Sequence, residues 1–251
     1  MVVNMENKES LLFAKEVPIT PAITIRIPKL KEVMKNEEAY HSLVSRLTAS
    51  PYAYMVQLDD QGIDFNTLTH YDLFLMLSEL IFDPNDKSYK LLFGNIDITN
   101  VKRYVDTQND TVVFCDPIGK FKIDELIYEQ IAEVVRAINL LEKDIRKAGN
   151  EAGKHYLIEK TRRQQRNRER RHKNKVSNSY IENLIIALVN TSECKYNYEQ
   201  FLNMSIYTFY QTYKQISHKL EYDNLMKGIY SATIDASKMA DKSGLSFVQT
   251  K

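Results

Sequence analysis

The stretch Asp124–Ile145, DELIYEQIAEVVRAINLLEKDI, decides the fold class. Its apolar residues Ile127, Ile131, Val134, Ile138, Leu141 and Ile145 recur at steps of 4, 3, 4, 3 and 4, which lines one face of an α-helix. Asp124 stands where an N-cap carboxylate accepts hydrogen bonds from free backbone N–H groups, and Gly149 and Gly153 punctuate the far end. The pattern predicts one long central helix over nearly three heptads, packed on its own domain. Seven Gly and six Pro in 251 residues are few for a turn-rich β architecture, which agrees with a helical chain.

Upstream, Pro18, Pro21 and Pro28 bracket Ala22–Ile27, whose β-branched alternation reads as a short strand that Pro28 ends. Lys29 to Thr48 reads as helix in two pieces. Pro51 behind Ser50 reads as the first turn of a helix that Gly62 closes. Thr69 and Asp72 form a capping box before the apolar run Leu73–Phe82, which must stop before Asp83-Pro84. Asn95–Ile98, Tyr104-Val105, Thr111–Cys115 and Lys120–Ile123 read as short strands between turns. With the 22–27 strand they predict one small antiparallel sheet.

Downstream, charge becomes the dominant signal. From Lys154 to Lys175 ten Lys/Arg stand against two Glu, a net +8 that leaves −7 for the rest of a chain whose total is +1. No apolar residue occurs between Lys160 and Lys175, so that run supplies no core; it reads as a solvated helix, a linker or a binding surface. After Ser177 helices return over Tyr180–Val189. Another starts behind Ser205, with Ile206, Phe209, Tyr210, Tyr213, Ile216 and Leu220 on one face and Tyr207 off it. The stripe is aromatic but lacks interleaved basic residues, so it reads as core rather than as a base-stacking platform. Ser231–Lys251 is polar enough to fray. The expected fold is mainly α (α+β). Residues 1–148 form an N-terminal helical unit with a small sheet and a long central helix. A basic helix or linker over 149–177 follows, then a C-terminal helical domain over 178–251.

Several chemistries find no support. Cys115 and Cys194 lack metal-ligand spacing and are too few for a disulfide scaffold. His41, His70, His155, His172 and His218 are scattered, with no HExxH. Asp59-Asp60 is a single local acid pair at a helix end, and Asp83-Pro84-Asn85-Asp86 has Gly94 where a calcium loop needs its twelfth-position Glu. Phosphate-cradling and nucleophile-elbow motifs are missing. No run approaches the roughly 18 apolar residues of a membrane span, and no secretory leader is read. The expectation is a protein without enzymatic activity or cofactor.

The partner-binding candidates are therefore Lys160, Arg162, Arg163, Arg166, Arg168, Arg170, Arg171, Lys173 and Lys175. Clustered guanidinium groups suit phosphates, which they bind with counterion release, and equally suit the carboxylates of an acidic protein surface. A solvated spacer joining two helical units would look the same in composition.

Several segments together carry a resemblance: Ile23–Pro28, Tyr40–Thr48, Met55–Asp64, Lys147–Ala152 with the basic run, Ala187–Thr191, Leu202–Tyr207 and Tyr222–Tyr230. Over about residues 22–235 the chain resembles tail-morphogenesis proteins of tailed bacteriophages and prophages, in the tail-assembly chaperone and baseplate-hub assembly group. Those relatives often end in a tryptophan-containing tail, whereas this chain has no Trp. The resemblance implies a non-enzymatic factor that docks onto tape-measure or baseplate-hub proteins, in the host cytoplasm during assembly or in the virion tail. Nucleic-acid binding by residues 160–175 is the alternative.

Overall fold

The computed structural model describes residues 9–97, 100–106, 111–172 and 179–248, without the side chains of residues 9, 10, 171 and 172. A short helix α1 (Glu9–Phe13) leads into an antiparallel hairpin of β1 (Glu16–Thr20) and β2 (Ile23–Arg26), with Val17 opposite Ile25. Ile23 and Ile25 are fully buried, so β2 does bury one face as its alternation predicts. It does not join the later sheet. Its partner is the Pro18-containing β1, tolerable because a two-stranded ribbon consists of edges and Pro18 falls at a register shift.

Helices α2 (Leu30–Lys35) and α3 (Glu37–Leu47) are the two expected pieces. Residues after Pro51 form a turn that Ser50 caps through the Ala53 N–H, so α4 (Met55–Asp60) starts four residues late. The capping box holds: Thr69 Oγ1 accepts from the Asp72 N–H at 3.0 Å, and Asp72 accepts from the Thr69 N–H at 2.8 Å, opening α5 (His70–Ile81). A 3-10 turn at Lys87–Tyr89 runs into α6 (Lys90–Phe93). The second sheet contains β3 (Lys102–Asp106), β4 (Thr111–Cys115) and β5 (Lys122–Ile123), antiparallel in that order. Asn95–Asp97 is turn and coil rather than strand, and residue 98 lies outside the described residues.

The central helix is shorter than its apolar spacing predicts. α7 spans Glu125–Ile138, opened by Asp124 accepting from the Ile127 N–H at 2.9 Å. At its end Asn139 donates to the Val135 carbonyl and accepts from the Tyr40 hydroxyl, each at 2.9 Å. Leu140 then turns left-handed (φ 53°), and the Leu141 N–H closes back onto the Arg136 carbonyl. The pattern continues beyond the backbone that would use it: Leu141 is 46% exposed and Ile145 75%. Gly153 does not end this helix. It lies in the first turn of α8 (Glu151–His172), where its N–H donates to Asn150 Oδ1 at 2.7 Å.

α9 (Tyr180–Val189), α10 (Tyr198–Asn203) and α11 (Ile206–Tyr230) follow. Ser205 caps α11 through the Thr208 N–H as expected. Tyr207, although off the apolar face, is buried in the first turn of α11. That turn's backbone bridge from Ser205 to Lys29 seats it on α2, and α11 also packs against α1. The segment after Ser231 folds back instead of fraying: His218 Nε2 lies 2.7 Å from the Ser246 carbonyl, and the Phe247 ring stands edge-on to Tyr222. Residues 249–251 lie outside the described residues.

The molecule is thus mainly α with two small antiparallel sheets. One apolar cluster joins β2, α2, α3, α5, α7 and the sheet residue Phe114 to Ile181, Ile185, Phe201 and Phe209. It runs across the sequence divisions at 148 and 177. A second, smaller cluster gathers Met55, Val56, Leu58, Phe65 and Leu73 around Ile158 of α8.

Candidate functional site

The basic run is a helix through His172, and the structure divides it into a docked half and a free half. In the docked half Ile158 is 3% exposed against the residues around α4, and Thr161 Oγ1 approaches Met55 Sδ at 3.8 Å. Two ion-pair sets flank that contact. Lys154 Nζ reaches Asp64 at 2.9 Å and Glu151 at 3.0 Å, and its hydrogen bond holds the Asp64 carboxyl below the usual carboxylate range. Arg162 lies 3.0 Å from Asp59 and 2.9 Å from Asp60. That acid pair closes α4, where the helix dipole is already negative, so a cation there relieves two unfavourable terms together. Asp59-Asp60 anchors α8 through Arg162.

Beyond Gln165 the character changes: every residue from Arg166 to Arg170 is exposed. The helix of 22 residues extends about 33 Å, and five consecutive exposed residues make more than a full turn, so its last described turn is clear of the body on every side. Lys160 and Arg163 are exposed as well, and Lys160 Nζ lies 5.9 Å from the Tyr156 ring centroid. Among the described residues no carboxylate lies within ion-pair distance of Arg163, Arg166, Arg168 or Arg170. At 3.6 residues per turn Arg163, Arg166 and Arg170 share an arc of about 60°, while Arg168 stands nearly opposite Arg170. With Lys160 between them, the cations cover about 200° of the helix surface.

The predicted set therefore splits. Lys160, Arg163, Arg166, Arg168 and Arg170 come together on the free half, and Arg162 turns inward. The Arg171 side chain, Lys173 and Lys175 lie outside the described residues. Sequence reasoning missed the docking contacts, because Asp59, Asp60 and Asp64 are about a hundred residues from their partners. The only available signal was the apolar pair Leu157-Ile158 just ahead of the charged run.

Other concave surfaces carry less chemistry. A groove of about 350 Å³ between Asn139-Leu140 and α11 is lined by Tyr210, Tyr213 and His218. Burial pushes the Tyr210 hydroxyl up to about 12, and the His218 imidazole is taken up by the Ser246 carbonyl. Among the described residues no three His, Cys, Asp or Glu side chains converge on a point that could hold a metal, and no helix is long and apolar enough to cross a membrane.

Similarity to a known family falls on the C-terminal part of the chain. Residues 172–245 match the family described as YomV second domain. That stretch is similar to a phage-associated family. It begins at the last residue of α8 and takes in α9, α10, α11 and most of the segment that folds back on α11. No curated protein and no solved structure matches the chain.

Proposed function

We propose that this is a non-enzymatic protein of phage tail or baseplate assembly, acting by docking onto other tail components such as tape-measure or baseplate-hub proteins. The observation that carries the reading is the YomV-like stretch 172–245. That stretch leaves Tyr180 62%, Ile186 44% and Tyr198 49% exposed. Aromatic and aliphatic side chains of this kind form the water-excluding centres of protein interfaces, where a few anchors supply most of the affinity. Work in the host cytoplasm during assembly, with or without retention in the particle, follows from such a role.

Affinity capture from induced, nuclease-treated cells tests it. Tape-measure or hub proteins should co-purify with the full chain. Combined Ile186→Asp and Tyr198→Ala should reduce their recovery about tenfold or more, the loss expected from removing interface anchors. Recovery of ribosomes alone, or tail proteins held equally by the double variant, overturns the reading.

A further inference from the structure

We propose that the free half of α8 is a second binding element, which enters the major groove of duplex DNA with Arg163, Arg166, Arg168 and Arg170 on its phosphates. This goes beyond the docking role and is carried by different residues.

Three observations select the occupant. First, the free half offers nothing from which to build a protein interface: between Lys160 and Lys175 there is no apolar side chain. Protein interfaces are centred on aromatic and apolar groups with charge at the rim, so an acidic protein surface would meet here a rim without a centre. Phosphate binding needs no such centre, since its driving force is the release of condensed counterions.

Second, the cations spread over about 200° of the helix, onto both of its flanks. A flat acidic surface rewards a stripe on one side, and Arg168 would point away from it. A groove rewards cations on both flanks, because phosphates form both of its walls. An α-helix with side chains is about 10–12 Å across, and the B-form major groove is about 12 Å wide. The A-form major groove of RNA is deep and narrow, which excludes such a helix. Gln164, Gln165 and Asn167 interleave the arginines with amide groups able to reach base edges.

Third, the mounting suits insertion. Ile158, with Lys154 on Asp64 and Arg162 on Asp59 and Asp60, fixes the base of α8, so the projecting turns are held helical before any encounter. Arginines four apart repel along a helix, as Arg166 and Arg170 do, and a polyanion relieves that repulsion. The remainder of the chain carries −7, so the body repels DNA and contact is confined to the projecting end.

Fluorescence anisotropy of the full chain with a labelled mixed-sequence DNA duplex of about 25 base pairs, over a series of NaCl concentrations, tests this. Four phosphate contacts predict a slope of log K on log salt of about −3.6. Each of Arg166→Gln and Arg168→Gln should lower its magnitude by about 0.9. Replacing all four arginines by glutamine should abolish measurable binding at 150 mM salt, with the circular-dichroism helix content retained. Lys87→Gln, which removes an exposed cation outside α8, should leave the slope unchanged. Unlabelled duplex DNA should displace the probe, and duplex RNA of the same sequence and polyglutamate should not. The proposal is overturned if the four-arginine variant binds as the parent does. It is equally overturned if polyglutamate or duplex RNA competes as well as DNA. Failure here leaves the nuclease-treated capture unaffected, so the two readings fall separately.

Discussion

Asp144 shows how single side chains organise the segment between α7 and α8. Its carboxylate accepts from Arg146 Nε at 2.7 Å and from a second guanidinium nitrogen at 2.8 Å, with the Ser50 hydroxyl at 3.0 Å. The Arg146 guanidinium also lies 4.4 Å from the centroid of the Tyr52 ring, and the Asp144 carbonyl is 3.0 Å from His70 Nε2. Chiefly through the Arg146 hydrogen bonds, the carboxyl is held down at about 2. A lowered folded-state value stabilises the fold above the ordinary carboxylate pKa, and that stability fades as pH falls towards the folded value. Asp144→Asn should therefore lower stability at pH 7 by about 1 kcal/mol, discounted because Arg146 is largely exposed. The gap from the parent should narrow below about pH 4 and close near pH 2. Urea midpoints measured at pH 7, 5, 3.5 and 2.5 check this. A gap that stays constant to pH 2.5 would mean that the charge carries none of it. Tyr40 acts at the same scale. Its buried hydroxyl, its pKa raised by desolvation, holds the Asn139 side chain that ends α7.

At the scale of elements, α8 depends on one apolar contact more than on its ion pairs. Arg162 and its acids are each a quarter or more exposed, and pairs of that kind contribute little singly. Ile158 is, among the described residues, the α8 side chain buried in the satellite cluster around α4. Ile158→Ala should cost about 2–3 kcal/mol, at the lower end for buried aliphatic truncations. The effect should be local: amide exchange should accelerate along α8, while α3 and α7 keep their protection. Unchanged α8 exchange would show that the ion pairs suffice. This docking was illegible in the sequence, since Arg162 meets Asp59 across 103 residues. The helix-opening signals were local and therefore readable: Thr69 with Asp72, Asp124 and Ser205 all cap where their side chains suggest. The seam over 127–145 misled because apolar spacing records which side chains could share a face, not whether the backbone continues. What ends α7 is Asn139 held by Tyr40, a partner 99 residues upstream.

For the whole molecule, the YomV-like stretch is built into the N-terminal half rather than hung beside it. Glu37 of α3 accepts from the Ser179 hydroxyl and from the Tyr180 and Ile181 N–H groups at 3.0 and 3.1 Å, so an acid from one half caps α9 of the other. The Leu30 N–H donates to the Met204 carbonyl and the Ile206 N–H to the Pro28 carbonyl, both at 2.9 Å, stitching β2–α2 to α10–α11. Phe201, Ile206 and Phe209, all fully buried, fill the same cluster as Leu30 and Tyr40. Cut away from that cluster, the stretch would turn these rings and Ile181 towards water, and the N-terminal half would lose the lid over Leu30. The main cluster closes only with both halves in place, so the two should unfold together. Phe209→Ala makes the point testable, because truncating a buried Phe costs about 3–5 kcal/mol, a large share of the 5–15 kcal/mol that a typical fold possesses. The expected outcome is one cooperative transition at lower temperature. Amide exchange should rise in α3 and α11 by the same factor, read by mass spectrometry on the full chain. Loss of protection in α11 with α3 unchanged would instead reveal two units that merely touch. The exposed face around Ile186 and the arginine-bearing end of α8 would then be free to move against each other.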